Sequence, residues 1–248
     1  ITTDPMEVGP TLHYCMGGIK VDADTQMSRV PGLFACGECS GGMHGANRLG
    51  GNSLSDLLVF GKLSGDGAHS YIKELSNNPV IDNEQAISII RSATDILNRE
   101  SGGNPYLLRE ELQESMQNNV GIVRTKELLT NGIDELKKIK NTYKTIKADG
   151  ASQYNPGWHE AIALRNLIIT AESVAMSALI REESRGAHTR VDFPGEQDKW
   201  IDYNVVIHKG DNGSMLTERR KRVTPDPELV RIANLSINEL EREVATKP

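Results

Sequence analysis

Cysteine is scarce in this chain, aromatic residues make up only 4% of it, basic residues do not outnumber acidic ones, and no long uninterrupted apolar run occurs. Three cysteines, Cys15, Cys36 and Cys39, cannot build the disulfide framework of a small secreted protein, and no signal-like segment opens the sequence. A reducing, cytoplasmic compartment is expected. With 28 Lys and Arg against 34 Asp and Glu, the net charge of −6 gives no global attraction to phosphate backbones, so no nucleic-acid partner is expected. The single basic run is Arg219-Arg220-Lys221-Arg222, and it reads first as a solvated strand edge. The longest apolar stretch, residues 167–180, is interrupted by Thr170, Glu172, Ser173 and Ser177 and falls short of the roughly 20 apolar residues that cross a bilayer. What is present, 38% hydrophobic and 25% charged residues over 248 positions, is enough to bury one or two globular cores. The opening at Ile1, inside a polar and turn-like segment, reads as part of a longer polypeptide.

Glycine divides the sequence. More than half of the 23 glycines lie within residues 9–67, where short β-type runs at residues 18–21 and 33–36 are separated by turn residues. The second run leads into a glycine-rich loop and then a helix, with Asn52 and Ser53 as candidate N-caps ahead of Leu54, Leu57, Leu58 and Leu63. Strand, glycine-rich loop and helix N-terminus in that order form a phosphate- or cofactor-contact unit.

From about Asp82 the pattern is helical. One helix is expected to Ser101-Gly102-Gly103, a second from the cap Asn104-Pro105, a third through Leu128 to about Lys147, and a fourth from Asn155-Pro156 to Gly186. Their apolar stripes require one another, which implies a small bundle. Alternation from Trp200 to His208, a turn at Lys209-Gly210-Asp211-Asn212-Gly213 and a return from Met215 to Val223 give a hairpin. Pro225 and Pro227 end it, and Ser236 caps a last short helix. The regions expected are 1–80, 81–186 and 187–248.

Two clusters carry chemistry. His13 stands just ahead of Gly17-Gly18 on a loop that backbone-binding ligands can approach, although a hydrogen-bonded structural histidine is the simpler reading. Arg48 lies among glycines immediately before a helix N-terminus, combining a bidentate carboxylate clamp with free N–H groups, a pairing that suits an anionic substrate. Cys36 and Cys39 form a C-x-x-C pair, but the surrounding spacing matches no zinc ribbon or finger, so no metal site is expected.

The strings PTLHYCMGGI and VPGLFACGECSGGMHGANRLGGNSLSDLLVFG resemble the flavoprotein subunits of succinate dehydrogenase and fumarate reductase. The resemblance continues through the helices, through Glu183-Ser184-Arg185-Gly186-Ala187-His188 with Asp192 and Pro194, and into the hairpin. It implies an α/β plus α architecture: the end of a dinucleotide-binding (FAD) domain, then a helical bundle, then a small C-terminal hairpin segment. It further implies that His13 and Arg48 bind a dicarboxylate, succinate or fumarate, and that Glu38, Asn52, Ser53 and Leu54 contact FAD. No general acid or base is expected among these residues, because the family's proton-shuttling arginine, its flavin-attaching histidine and its dinucleotide fingerprint belong to a preceding portion. The chain by itself is therefore expected neither to turn over nor to hold FAD firmly. The implied partners are an iron–sulfur subunit and, through it, membrane-anchor subunits, which would place the protein at the inner face of the cell membrane. Arg185 and His188 receive no role beyond a structural one. L-aspartate oxidase shares the histidine and arginine motifs and is the alternative enzyme; a non-catalytic module that docks a partner through the helical bundle and the basic hairpin is the alternative of another class.

Overall fold

The computed structural model describes Thr3, Pro5 and residues 13–246, with side chains as far as Glu243. Pro10, Thr11 and Leu12 of the first motif lie outside the described residues. The chain divides into two compact units, Ile1–Gln197 and Asp198–Pro248. This differs from the break expected after Gly186, because residues 187–197 are hydrogen-bonded into the first unit.

The glycine-rich region carries two short strands, β1 (Ile19–Lys20) and β2 (Ser40–Gly41), paired in parallel with Ile19 opposite Ser40. Only glycine fits at position 18, where a Cβ would lie 2.4 Å from the Cys39 carbonyl oxygen. The β-type run at 33–36 is not a strand. Phe34 makes one isolated antiparallel bridge to Met27, and the backbone around it is tied up in local turns: Ser28 N–H donates to Leu33, Leu33 N–H to Val30 and Ala35 N–H to Gln26. A single 3₁₀ turn at Gly37–Cys39 then leads into β2.

Helix α1 (Asn52–Glu74) follows the loop, and the bundle is built from α2 (Asn83–Asn98), α3 (Pro105–Val120), α4 (Lys126–Tyr143) and α5 (Pro156–Ile180). The expected caps form: Asn104 accepts from Tyr106 N–H at 2.8 Å and Asn155 from Trp158 N–H at 2.9 Å, each followed by proline at the first helical position. Asp82 caps α2 through Gln85 N–H and Thr125 caps α4 through Leu128 N–H. Helix α4 ends before the expected Lys147 and α5 before the expected Gly186.

Leu108, Leu112, Leu129, Leu136, Ile146, Leu164 and Ile168 form the centre of the core, and the Trp158 indole N–H donates to the Ala93 carbonyl at 2.8 Å to fasten α5 to α2. Among the described residues α5 alone is long and apolar enough, by length and composition, to cross a membrane. It includes residues beyond the 167–180 stretch, and it lays Ala161, Leu164, Ile168, Ala171, Ala175 and Ala178 into the bundle core. Strand β3 (Val123–Arg124), between α3 and α4, pairs in parallel with β4 (Thr189–Arg190), which follows α5.

In the second unit a short helix, α6 (Asp198–Ile201), precedes the hairpin of β5 (Tyr203–Lys209) and β6 (Met215–Lys221), whose antiparallel register sets Tyr203 opposite Lys221. An unexpected helix, α7 (Pro227–Ala233), comes next. Pro227 starts this helix rather than stopping the chain: it sits in the first turn, where no N–H is needed, and Asp226 accepts from Glu228 N–H at 2.8 Å. Helix α8 (Ile237–Thr246) is capped by Ser236, which exchanges hydrogen bonds with Glu239 as expected for a capping box.

Leu164 is fully buried between the bundle helices. Leu164→Ala is expected to lower unfolding free energy by about 2–5 kcal/mol. Urea unfolding followed by circular dichroism measures this; an unchanged midpoint would contradict the bundle packing.

Candidate functional site

The site is assembled by glycine-rich backbone with few side chains. Residues 13–18 run without regular structure, and the Cys15 N–H donates to Glu38 Oε1 at 2.9 Å, so the His13 segment is tied to the turn that carries Glu38. The β1–β2 pairing repeats that link at the next residues. His13 itself is exposed. Its neighbour Tyr14 lies under Arg48, with the guanidinium carbon 4.5 Å from the ring centroid, a cation–π contact. The structure therefore brings the two expected substrate residues into one neighbourhood through Tyr14.

Behind Arg48 stands a cluster that sequence reading missed. The Tyr14 hydroxyl donates to Asp56 Oδ2 at 3.2 Å, His44 Nε2 lies 3.1 Å from the same oxygen, and the Tyr14 and His44 rings meet edge to face at 5.4 Å. Burial, followed by the hydrogen bond and the negative charge of Asp56, pushes the Tyr14 phenol above its ordinary pKa, so it remains a donor at neutral pH. Arg48 donates from Nη1 to the Leu49 carbonyl at 3.1 Å, and its Nε is buried without a hydrogen-bond partner among the described residues. The signal available in the sequence was Asp56 itself, an acid set into the leucine-rich start of α1.

Asn52 and Ser53 are not N-caps. Gly51 occupies that position in the left-handed conformation and offers no side-chain oxygen, which makes Asn52 and Ser53 the first helical residues. The N–H groups of the first turn, Leu54 among them, are left without a side-chain cap, and no acidic residue offsets the positive end of the helix dipole. Leu49, Leu54 and Leu58 are exposed beside it. Uncapped donors flanked by apolar side chains fit a flat aromatic ring system that carries negative charge, the chemistry expected of FAD at Asn52, Ser53 and Leu54.

The Glu183–His188 motif braces this loop. Ala187 N–H donates to the Ala46 carbonyl at 3.1 Å, two residues before Arg48, and Gly186 (φ +57°) sits so close that a Cβ would lie 2.3 Å from the same oxygen. Arg185 donates to buried Glu183 from Nε at 3.0 Å and from Nη2 at 3.1 Å, and Arg181 and the Gln197 N–H also reach that carboxylate. Burial alone would raise the Glu183 pKa, but the hydrogen bonds from Arg185, Gln197 and Arg181 outweigh it and hold the group below its ordinary value. His188 lies between Arg124 Nη1, 2.9 Å from its Nδ1, and the Arg181 carbonyl, 3.0 Å from its Nε2. Burial, aided by the charges of Arg124, Arg190 and Arg181, lowers its pKa against the opposing hydrogen bond to Arg181. A neutral imidazole that accepts at Nδ1 and donates at Nε2 matches both neighbours.

Among the described residues no group of three or more His, Cys, Asp and Glu is arranged to hold a metal ion. The basic run at 219–222 is not a single patch. Arg219 lies over the Trp200 and Tyr203 rings at 4.3 and 4.5 Å, Arg220 pairs with Glu218, and Arg222 lies 3.9 Å from Asp202.

Residues 109–242 match the family model described as fumarate reductase flavoprotein C-term, and residues 1–54 match an FAD binding domain. The fumarate reductase flavoprotein subunit of Escherichia coli K12 is 41% identical over 235 residues, covering 92% of this chain and 39% of that protein. The succinate dehydrogenase flavoprotein subunit of Coxiella burnetii is 36% identical over 226 residues, covering 85% and 38%. The apo Sdh1 complex of Mycobacterium smegmatis contains a chain that superposes with a TM-score of 0.86 at 43% identity, covering all of this chain and 43% of that one. The chain thus spans about two-fifths of the length of these relatives. With more than half of its residues inside the first model, the chain belongs to the fumarate reductase and succinate dehydrogenase flavoprotein family.

Proposed function

We propose that this chain forms the dicarboxylate-binding face of an FAD-dependent oxidoreductase that interconverts succinate and fumarate. The observation that carries this reading is Arg48: a guanidinium laid on the Tyr14 ring, tied to its own loop and placed beside the uncapped start of α1. A guanidinium so held offers a planar pair of donors to one carboxylate. His13, next to Tyr14 in the chain, is assigned the second carboxylate. Holding both ends of a four-carbon diacid fixes its central C–C bond, and such positioning contributes several kcal/mol of a reaction barrier. FAD, when bound, supplies the two-electron hydride acceptor or donor. Glu38, Asn52, Ser53 and Leu54 are the residues that would hold it, with Glu38 already fixed in place by Cys15.

Neither His13 nor Arg48 is assigned proton transfer; both bind substrate. Electrons are proposed to leave through an iron–sulfur subunit joined to membrane-anchor subunits, which places the assembly at the inner face of the cell membrane. The extended hairpin of β5 and β6 supports this reading over an L-aspartate oxidase.

Two charge-assisted hydrogen bonds to a carboxylate are worth about 1.5–3 kcal/mol each, so Arg48→Ala in the full-length flavoprotein is expected to lower succinate-dependent dye reduction by about 100-fold or more while flavin absorbance persists. Arg48→Lys should recover only part of the loss. Unchanged activity in Arg48→Ala would remove Arg48 from the site, and oxidation of aspartate in place of succinate would move the assignment to the oxidase.

A further inference from the structure

Helix α1 has one buried residue among its described side chains, and it is an acid: Asp56, 4% exposed. Oδ2 receives the Tyr14 hydroxyl and faces His44 Nε2, while Oδ1 is buried with no hydrogen-bond partner among the described residues. A buried carboxylate that is only partly satisfied is a poor device for stability alone, since an apolar residue of similar volume at such a position is often neutral or stabilising. Its neighbours indicate a different use. Tyr14 supplies the ring on which Arg48 rests, and His44 belongs to the same loop as Arg48, four residues earlier. Tyr14 comes from the segment that carries His13, so one carboxylate fastens both substrate-binding segments to a rigid helix.

We propose that Asp56 is a positioning residue for dicarboxylate binding: through Tyr14 and His44 it sets the platform and the loop that orient Arg48. This rests on the functional reading above. Asp56 touches neither substrate nor cofactor in this role. Removing the carboxylate releases the Tyr14 hydroxyl and the His44 ring, and Arg48 loses its fixed orientation while its charge remains. The effect falls on binding of the diacid before it falls on the chemical step. A merely structural acid would instead change stability and flavin content.

The full-length flavoprotein and its Asp56→Leu, Asp56→Asn and Tyr14→Phe variants decide the matter, with malonate, a diacid lacking the bond to be oxidised, as binding probe. Measured for each are malonate Kd, succinate KM and kcat, flavin stoichiometry and Tm. Asp56→Leu is expected to raise malonate Kd and succinate KM by about 10-fold or more with smaller change in kcat and retained flavin, since a lost hydrogen-bonded contact of about 1.4 kcal/mol is tenfold. Asp56→Asn, which keeps an acceptor oxygen, should recover most of the binding, and Tyr14→Phe should weaken it severalfold with the fold intact. Wild-type malonate binding and KM in Asp56→Leu, or in Tyr14→Phe should Asp56→Leu fail to fold, would overturn the positioning role. Failure of the unmutated protein to bind malonate or oxidise succinate would overturn the functional reading on which it rests.

Discussion

A loop in which five of eleven residues are glycine cannot hold an arginine in place by itself, and the site depends on how that loop is held from outside. Within residues 41–51, Gly42, Gly45, Gly50 and Gly51 have no neighbour within 4 Å of where a side chain would begin, so the loop has little packing at those positions. Two attachments replace it: the Asp56 carboxylate, which faces His44 and Tyr14, and the Gly186–Ala187 backbone, which meets the Ala46 carbonyl. Glycine allows backbone to come close to a flat ligand, and order is then restored by contacts to rigid elements, a helix on one side and the base of the bundle on the other.

The second attachment connects the site to the helical core. Buried Arg190 donates from Nε and Nη2 to Asp192, both at 2.8 Å, and from Nη1 to the Ala178 and Leu179 carbonyls at the end of α5. Those carbonyls belong to the last turn of the helix, where no backbone donor remains for them, and a cation is favoured at that end of the dipole. The same stretch carries Glu183, Arg185 and His188 and ends against Ala46. Charged groups buried at the end of a core helix thus fix the position of the loop that carries Arg48. This explains why α5 stops at Ile180 instead of continuing to Gly186: the carbonyls that another turn would have bonded are met by Arg190.

Much of this was legible in the sequence wherever local chemistry decides. Asn104-Pro105 and Asn155-Pro156 start helices because side-chain oxygen and fixed φ act within three residues, and the Lys209–Gly213 turn yields its hairpin for the same reason. Readings failed where a distant partner decides, and where an adjacent residue takes the role that a local signal suggested for another. The 33–36 run has strand composition but no neighbouring ladder, so its N–H groups bond locally. Asn52 and Ser53 have cap chemistry, yet Gly51 takes the cap position and leaves the helix end open. Pro227 acts as a helix start once Asp226 supplies the cap. Asp56 could be seen as an anomaly in an apolar run, but its partners are 42 residues upstream at Tyr14 and in the adjoining loop at His44, and no periodicity reports such a meeting. His13 and Arg48 stand in recognisable motifs; the Tyr14–His44–Asp56 cluster beside them does not.

The Arg48 loop is ordered by attachments outside itself. Hydrogen–deuterium exchange over residues 41–51 of the full-length flavoprotein, compared with Gly186→Ala, tests it most directly. A Cβ at position 186 must displace the Ala46 carbonyl and occupies a backbone conformation costing about 1–2 kcal/mol for an L side chain. Exchange in this loop is expected to quicken by about tenfold in the variant while the bundle helices keep their protection. Unchanged exchange across 41–51 would contradict it.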